Sequence, residues 1–269
     1  MERRYIHGYE PREARRLQDQ AATLAELLHS DSLFPPGSRV LEAGCGVGAQ
    51  TVTLAGGNPG SRFLSLDISA DSLSQARAAV QEAGLSNVEF MQGDLFALPF
   101  APGSFDQVFV CFVLEHLDNP VAALAALRRL LKPGGGITVV EGDHGSVFFH
   151  PDNPDARAAI DCQVALQRRA GGDALIGRRL YPLLVEAGYV GCRVSPRLVY
   201  VDHSKPALVE GFTLNTFTAM VAGVRGQALA QGLSTAAAFD RGVEGLRRAA
   251  EPDGVFCYTF FKAFAAVPA

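Results

Sequence analysis

Val40-Leu41-Glu42-Ala43-Gly44-Cys45-Gly46-Val47-Gly48-Ala49-Gln50 decides the fold. An apolar run, Arg39 to Leu41, enters an acidic residue. Three glycines at alternate positions follow, and then a helix-compatible stretch from Ala49 to Ala55. The order is strand, tight loop, helix. Glycine lets such a loop turn with positive φ and lets a ligand approach with no Cβ in the way. The helix behind the loop directs unpaired N–H groups at whatever lies on it. This arrangement suits a nucleoside-bearing ligand at the carboxyl end of a parallel sheet.

Two positions bear on which ligand. A dinucleotide fingerprint reads G-x-G-x-x-G, whereas the spacing here is G-x-G-x-G with Ala49 at the third glycine position, a substitution the fingerprint tolerates. Glu42 discriminates more strongly. A carboxylate at the loop entrance repels a pyrophosphate and attracts an ammonium group. S-adenosylmethionine carries an ammonium and a sulfonium and no phosphate. Reading E-x-G-x-G-x-G from Glu42 to Gly48, the chain resembles the class I S-adenosylmethionine-dependent methyltransferases.

Arg62 to Asp67 reads as a second strand ending in an acid. It lies roughly 20 residues past the loop, where a carboxylate accepts both ribose hydroxyls. NAD enzymes place an acid there too, so Asp67 supports a ribose without choosing the cofactor. Ser69 or Asp71 caps the next helix, to about Ala83. Asn87 to Gln92 is a third strand, followed by Gly93-Asp94-Leu95. The resemblance implies that Asp94 accepts from the adenine amine and that the Leu95 N–H reaches a ring nitrogen; a turn cap is the plainer role for Asp94.

A second stretch strengthens the resemblance. A buried strand from Val108 gives way to Leu114-Glu115-His116-Leu117, a helix runs to Leu131, and Lys132-Pro133-Gly134-Gly135-Gly136 precedes a fifth strand, Ile137 to Val140. Together these are similar to class I methyltransferases of the ubiquinone/menaquinone-biosynthesis type. The resemblance is strong over residues 38–142 and holds only in outline beyond. It implies an α/β fold: a doubly wound, mostly parallel seven-stranded sheet, order 3-2-1-4-5-7-6, with an N-terminal helix and helical cap insertions. It also implies cofactor contacts from Glu42, Gly44, Cys45, Gly46, Gly48 and Gln50, from Asp67 and Ile68, from Asp94 and Leu95, and from Cys111 and Phe112 through backbone groups. An Asn/Asp-Pro-Pro-aromatic tetrad, which orients amine nitrogens in nucleobase methyltransferases, is absent; Cys111-Phe112-Val113-Leu114 stands there.

Glu141, Asp143 and His144 cluster after the fifth strand. A neutral His144 there is placed to take a proton from an acceptor, with Asp143 orienting it, although a polar turn bonded to itself reads nearly as well. Tyr5, His7, Tyr9, His116 and Phe148 are candidate substrate-side residues, the first three on a segment that leads into a helix from Pro11 to His29. The organisation expected is one methyltransferase domain, 1–269, with an N-terminal lid helix (1–37), a cofactor core (38–142) and a substrate-side elaboration (143–269). In the last part, Phe212, Asn215, Thr216, Phe217 and Met220 read equally as pocket cover and as core.

The 269 residues carry a formal net charge of −4, so nothing suggests a protein that neutralises many phosphates, and no nucleic acid partner is expected. Five cysteines without C-x-x-C spacing predict reduced thiols in a cytoplasm-like compartment and no metal site. No signal peptide or membrane span is expected. The function implied is methyl transfer from S-adenosylmethionine to a small molecule, by a monomer or homodimer; a Phe- and Tyr-rich pocket would suit an aromatic or apolar acceptor. Two alternatives stay open: a protein methyltransferase or cofactor-binding regulatory scaffold, and a non-methylating enzyme that uses the fold as a pocket.

Overall fold

The computed structural model describes residues 23–269. Residues 23–29 are helical (α1). There follow β1 (Arg39–Ala43), α2 (Ala49–Gly57), β2 (Arg62–Asp67), α3 (Ala70–Glu82), β3 (Val88–Gln92), β4 (Phe105–Cys111), a 3₁₀ turn (Leu114–His116), α4 (Pro120–Leu130) and β5 (Leu131–His150). The second half holds α5 (Pro154–Arg169), α6 (Leu180–Glu186), β6 (Val190–Asp202), a helical run from Pro206 to Ala230, a further helix (Ala236–Arg248) and β7 (Val255–Ala266). The run divides into α7 (Pro206–Leu208), a π-helical stretch (Val209–Thr218), α8 (Ala219–Gly223) and α9 (Arg225–Ala230), so the last helix is α10.

The seven strands form one sheet in the order β3-β2-β1-β4-β5-β7-β6. The pairs β1–β2, β1–β4, β2–β3 and β4–β5 are parallel. The order reverses at β1, which has β2 on one side and β4 on the other, and in open α/β sheets ligands bind at such a switch point. The sequence sets the helix starts locally. Ser69 accepts from the Ser72 N–H, Asn119 from Ala122 and Asn153 from Ala156; the last two precede Pro120 and Pro154, which suit a first helical turn.

Strand β5 departs from expectation. Its pairing with β4 starts at Phe105↔Leu131 and resumes at Gln107↔Gly136, so the Lys-Pro-Gly-Gly segment is a bulge within one strand rather than a turn ahead of it. At the other end the strand continues to His150 instead of stopping near Val140. Asp143, His144 and Phe148 are therefore strand residues, not loop residues.

The chain divides into two compact units. One comprises Ala25–Gly142, Ile176–Arg197 and Phe261–Ala269. Its core centres on β4, whose Val108, Phe109 and Val110 are fully buried, with Ala123, Leu124, Leu127 and Leu130 from α4 and Leu180, Leu183 and Leu184 from α6. Tyr189 donates its hydroxyl to the Leu124 carbonyl at 3.0 Å, satisfying the polar tip of a buried ring.

Among the described residues the other unit comprises 23–24, Asp143–Leu175 and Leu198–Phe260. Phe256, Tyr258 and Phe260 alternate along β7 and point one way, and Phe212 meets all three rings at centroid distances of 5.8–5.9 Å. Phe217, five residues on, packs on Phe256 and Tyr258. A spacing of five shares a face where hydrogen bonds run i to i+5, as in this π-helical stretch. Phe212, Thr216, Phe217 and Met220 are all buried. Among the described residues the run Pro206–Ala230 alone is long and apolar enough to cross a membrane by length and composition. Its aromatic contacts within the unit account for that apolarity as core.

Candidate functional site

The glycine loop leaves β1 with Gly44, Gly46 and Gly48 all at positive φ, 79°, 52° and 79°. The Gly44 and Cys45 N–H groups both donate to the Leu66 carbonyl, at 2.8 and 2.9 Å, which fastens the loop to the end of β2. Asp67 completes the attachment: one carboxylate oxygen accepts the Gly46 N–H at 2.8 Å and the other the Ser69 N–H at 2.9 Å. Desolvation raises the Asp67 pKa against these bonds. The carboxylate keeps lone-pair capacity for a ligand hydroxyl. Gly44 and Gly46 differ in what surrounds them. A Cβ on Gly44 would lie 2.5 Å from a methyl of Val113, whereas one on Gly46 would meet nothing within 4 Å among the described residues. Open space beside a left-handed glycine is where a ligand can approach the backbone.

Glu42 is almost wholly buried and is engaged by the protein. One of its oxygens accepts the Thr51 hydroxyl at 2.7 Å and the Ser65 hydroxyl at 2.6 Å, joining β1, α2 and β2. Burial pushes its pKa up to about 7, against the lowering effect of those hydroxyls and with a further push from Asp67. Gln50, in the first turn of α2, takes the His29 Nε2–H at 2.6 Å. Burial brings His29 down to about 4, so it is the neutral ring that makes this bond. Cys45 is buried and desolvation pushes its thiol well up, away from thiolate reactivity.

Ile68, beside Asp67, is 52% exposed, an unusual setting for so apolar a side chain. Asp94 forms the turn cap, accepting the Phe96 N–H at 2.9 Å, and Leu95 is partly buried against the core. Cys111 ends β4 with its thiol held protonated by burial. Phe112 follows with φ 56°. Glu141 accepts the Val113 and Leu114 N–H groups at 3.0 and 2.7 Å. Sequence reading grouped Glu141 with Asp143 and His144 as ionisable residues; it could not see that its partners lie 27 and 28 positions earlier. His116 closes the 3₁₀ turn, 3.5 Å from Glu115.

In the other unit Asp143 and His144 are both buried. Asp143 accepts the Gly145 N–H at 3.0 Å. His144 shares a hydrogen bond of 2.7 Å between Nδ1 and the Tyr258 hydroxyl, and its ring packs against Tyr258 and Phe217. Tyr258, 114 positions away, carried no signal in the sequence. Phe148 is half-exposed on β5. Tyr5, His7 and Tyr9 lie outside the described residues.

Residues 41–139 match the family described as a methyltransferase domain. A 37.1 kDa protein in transposon TN4556 of Streptomyces fradiae is 34% identical over 190 residues, 70% of this chain and 54% of that protein. A demethylmenaquinone methyltransferase of Lactococcus lactis is 36% identical over 109 residues, 40% of this chain and 43% of the relative. The chain thus spans about half the length of these curated relatives. In fold it is similar to a phosphoethanolamine N-methyltransferase 2 of Haemonchus contortus, solved with phosphomonomethylethanolamine and S-adenosylhomocysteine. The TM-score is 0.57 at 19% identity, over 92% of this chain and 52% of that one.

Proposed function

We propose, for a chain whose residues 41–139 belong to the methyltransferase domain family, that it transfers the methyl group of S-adenosylmethionine to a small-molecule acceptor of aromatic or apolar character. The observation that carries the reading is the loop at the switch point of the sheet. There a left-handed Gly46 has its N–H held by Asp67 and, among the described residues, nothing within 4 Å of where a side chain would stand.

The residues present fit the cofactor. Asp67 offers remaining lone pairs to ribose hydroxyls, half-exposed Ile68 offers an apolar surface to a purine, and Asp94 and Leu95 stand where an adenine edge is expected. Gly44 and Gly48, with the backbone of Cys111 and Phe112, hold the amino-acid portion. When bound, S-adenosylmethionine supplies an electrophilic methyl group on its sulfonium. The chain's contribution is to bind, to orient the acceptor and to exclude water. Where the acceptor loses a proton, His144 is the proposed base and Asp143 the neighbour that steadies its charge. His116 and Phe148 are proposed as substrate residues, as are Tyr5, His7 and Tyr9 outside the described residues. The five cysteines, all free, fit a reducing, cytoplasm-like compartment. The net charge of −4 fits a partner other than nucleic acid.

Calorimetric titration tests the reading. Wild type is expected to bind S-adenosylmethionine and S-adenosylhomocysteine, and Asp67→Ala to bind both about tenfold or more weakly, for loss of hydrogen bonds to a charged acceptor. A folded wild type that binds neither would remove the central claim. Methyl label recovered in protein rather than in small molecules would replace the acceptor class.

A further inference from the structure

We infer that Glu141 is a positioning residue for the glycine loop, acting through the turn at Phe112 and the side chain of Val113; the inference rests on the reading that this loop receives the cofactor. Phe112 is the one non-glycine residue at positive φ among the described residues. A bulky side chain in the left-handed region persists only where its surroundings over-determine it. Here three hydrogen bonds do so. The Phe112 N–H donates to the Val140 carbonyl at 2.9 Å, and the next two N–H groups, of Val113 and Leu114, converge on Oε1 of Glu141 at 3.0 and 2.7 Å.

The carboxyl group itself is a poor fit to its place on any other account. Glu141 is fully buried, and among the described residues its Oε2 has no hydrogen-bond partner. A buried acid half satisfied opposes folding, and an apolar side chain would avoid that penalty. What the acid does supply is the anchor for two N–H groups at the start of a 3₁₀ turn, which no apolar residue offers.

The turn then reaches the loop. With Phe112 left-handed, Val113 lies against Gly44, so close that a Cβ there would sit 2.5 Å from one Val113 methyl and 3.2 Å from the other. Val113 is β-branched and stiff at χ1, so it transmits a backbone position rather than absorbing it. Gly44 is in turn bonded to Leu66 and leads to Gly46, which Asp67 holds. Glu141, Val113 and Gly44 thus form one contiguous line from the middle of β5 to the loop.

Hydrogen exchange on the unliganded full chain tests this without any ligand. Glu141→Leu is expected to speed exchange of the Val113 and Leu114 amides and of the Gly44, Cys45 and Gly46 amides by about tenfold or more. Glu141→Gln, which keeps an oxygen at Oε1, is expected to stay within about twofold of wild type, since the acceptor is retained. Val113→Ala separates the steps, and serves if Glu141→Leu fails to fold: it should loosen residues 44–46 while leaving the Val113 and Leu114 amides protected. Loop protection unchanged in Glu141→Leu, or in Val113→Ala, overturns the inference. Titration of the same variants with S-adenosylhomocysteine reads the other claim. A wild type that does not bind removes the cofactor reading, whereas the exchange pattern decides the coupling by itself.

Discussion

At Glu42 the physical chemistry of one side chain sets a pH dependence. Its folded pKa of about 7 lies above its ordinary 4.5, because burial outweighs two hydroxyl donors. Below pH 4.5 both folded and unfolded chains hold the proton, and stability is unaffected. Between 4.5 and 7 the unfolded chain releases its proton while the folded one retains it, so stability falls as pH rises, by about 3 kcal/mol in all. His29 acts in the opposite direction. Its folded pKa of about 4 lies below 6.5, so stability falls as pH drops from 6.5 toward 4. The two slopes oppose one another through the middle of the range. Glu42→Gln keeps an oxygen for Thr51 and Ser65 and cannot ionise. Denaturant unfolding should find the variant gaining on wild type steadily from pH 4.5 to 7, and equal stability differences at pH 4 and 8 would show that Glu42 titrates normally.

Helix α10 shows how an element's neighbours reverse a propensity argument. It buries Phe239, Gly242, Val243, Gly245 and Leu246, a stripe at helical spacing, against α5. The glycines are where the two backbones meet: a Cβ on Gly242 would fall 2.4 Å from the Asp155 carbonyl oxygen and 2.8 Å from the Ala159 methyl. Arg241 reaches Asp155 at 2.7 Å beside this contact. Alanine is favoured over glycine in a helix by about 1 kcal/mol. At exposed Gly226 of α9 nothing among the described residues lies within 4 Å of an added Cβ, so Gly226→Ala should raise the melting temperature. Gly242→Ala should lower it, the overpacking of about 1–3 kcal/mol exceeding the propensity gain. Two shifts of the same sign in thermal unfolding would refute the packing account. The pattern of α10 was readable in sequence; the need for glycine on its buried stripe was not, because α5 is remote in the chain.

On the scale of the whole chain, Lys262 joins segments that sequence keeps far apart. Fully buried on β7, it donates to the Leu28 carbonyl at 2.7 Å, to Asp31 at 2.6 Å and to the Ser32 hydroxyl at 2.7 Å, which uses all three of its protons. Asp31 also pairs with Arg197 of β6. Desolvation lowers the lysine pKa, and Asp31 holds the charge in place. Lys262→Met should destabilise by about 2–4 kcal/mol, since it takes the donor from the Leu28 carbonyl and removes one partner each from Asp31 and the Ser32 hydroxyl. A loss in urea unfolding of less than roughly 0.5 kcal/mol, the scale of an exposed pair, would show that the cluster is incidental.

Sequence by itself determined the first half of the sheet and the loop. Glycine spacing and the Asn-Pro helix starts act within a few residues of where they stand, so their consequences are written locally; Asp67 was legible from its spacing, although the Gly46 N–H it holds lies 21 positions earlier. The strand order followed from the same motifs through family likeness. Tertiary structure alone decided what the polar residues do. Glu42 proved to be engaged by Thr51 and Ser65, Gln50 by His29, His144 by Tyr258, and Glu141 by a turn 27 positions away. It also carried β5 ten residues past its expected end, from Val140 to His150, through polar positions that read as loop. The reason is common to all of them. A buried polar group is tolerated only where a partner meets it, and the partner comes from another part of the chain that only folding brings near.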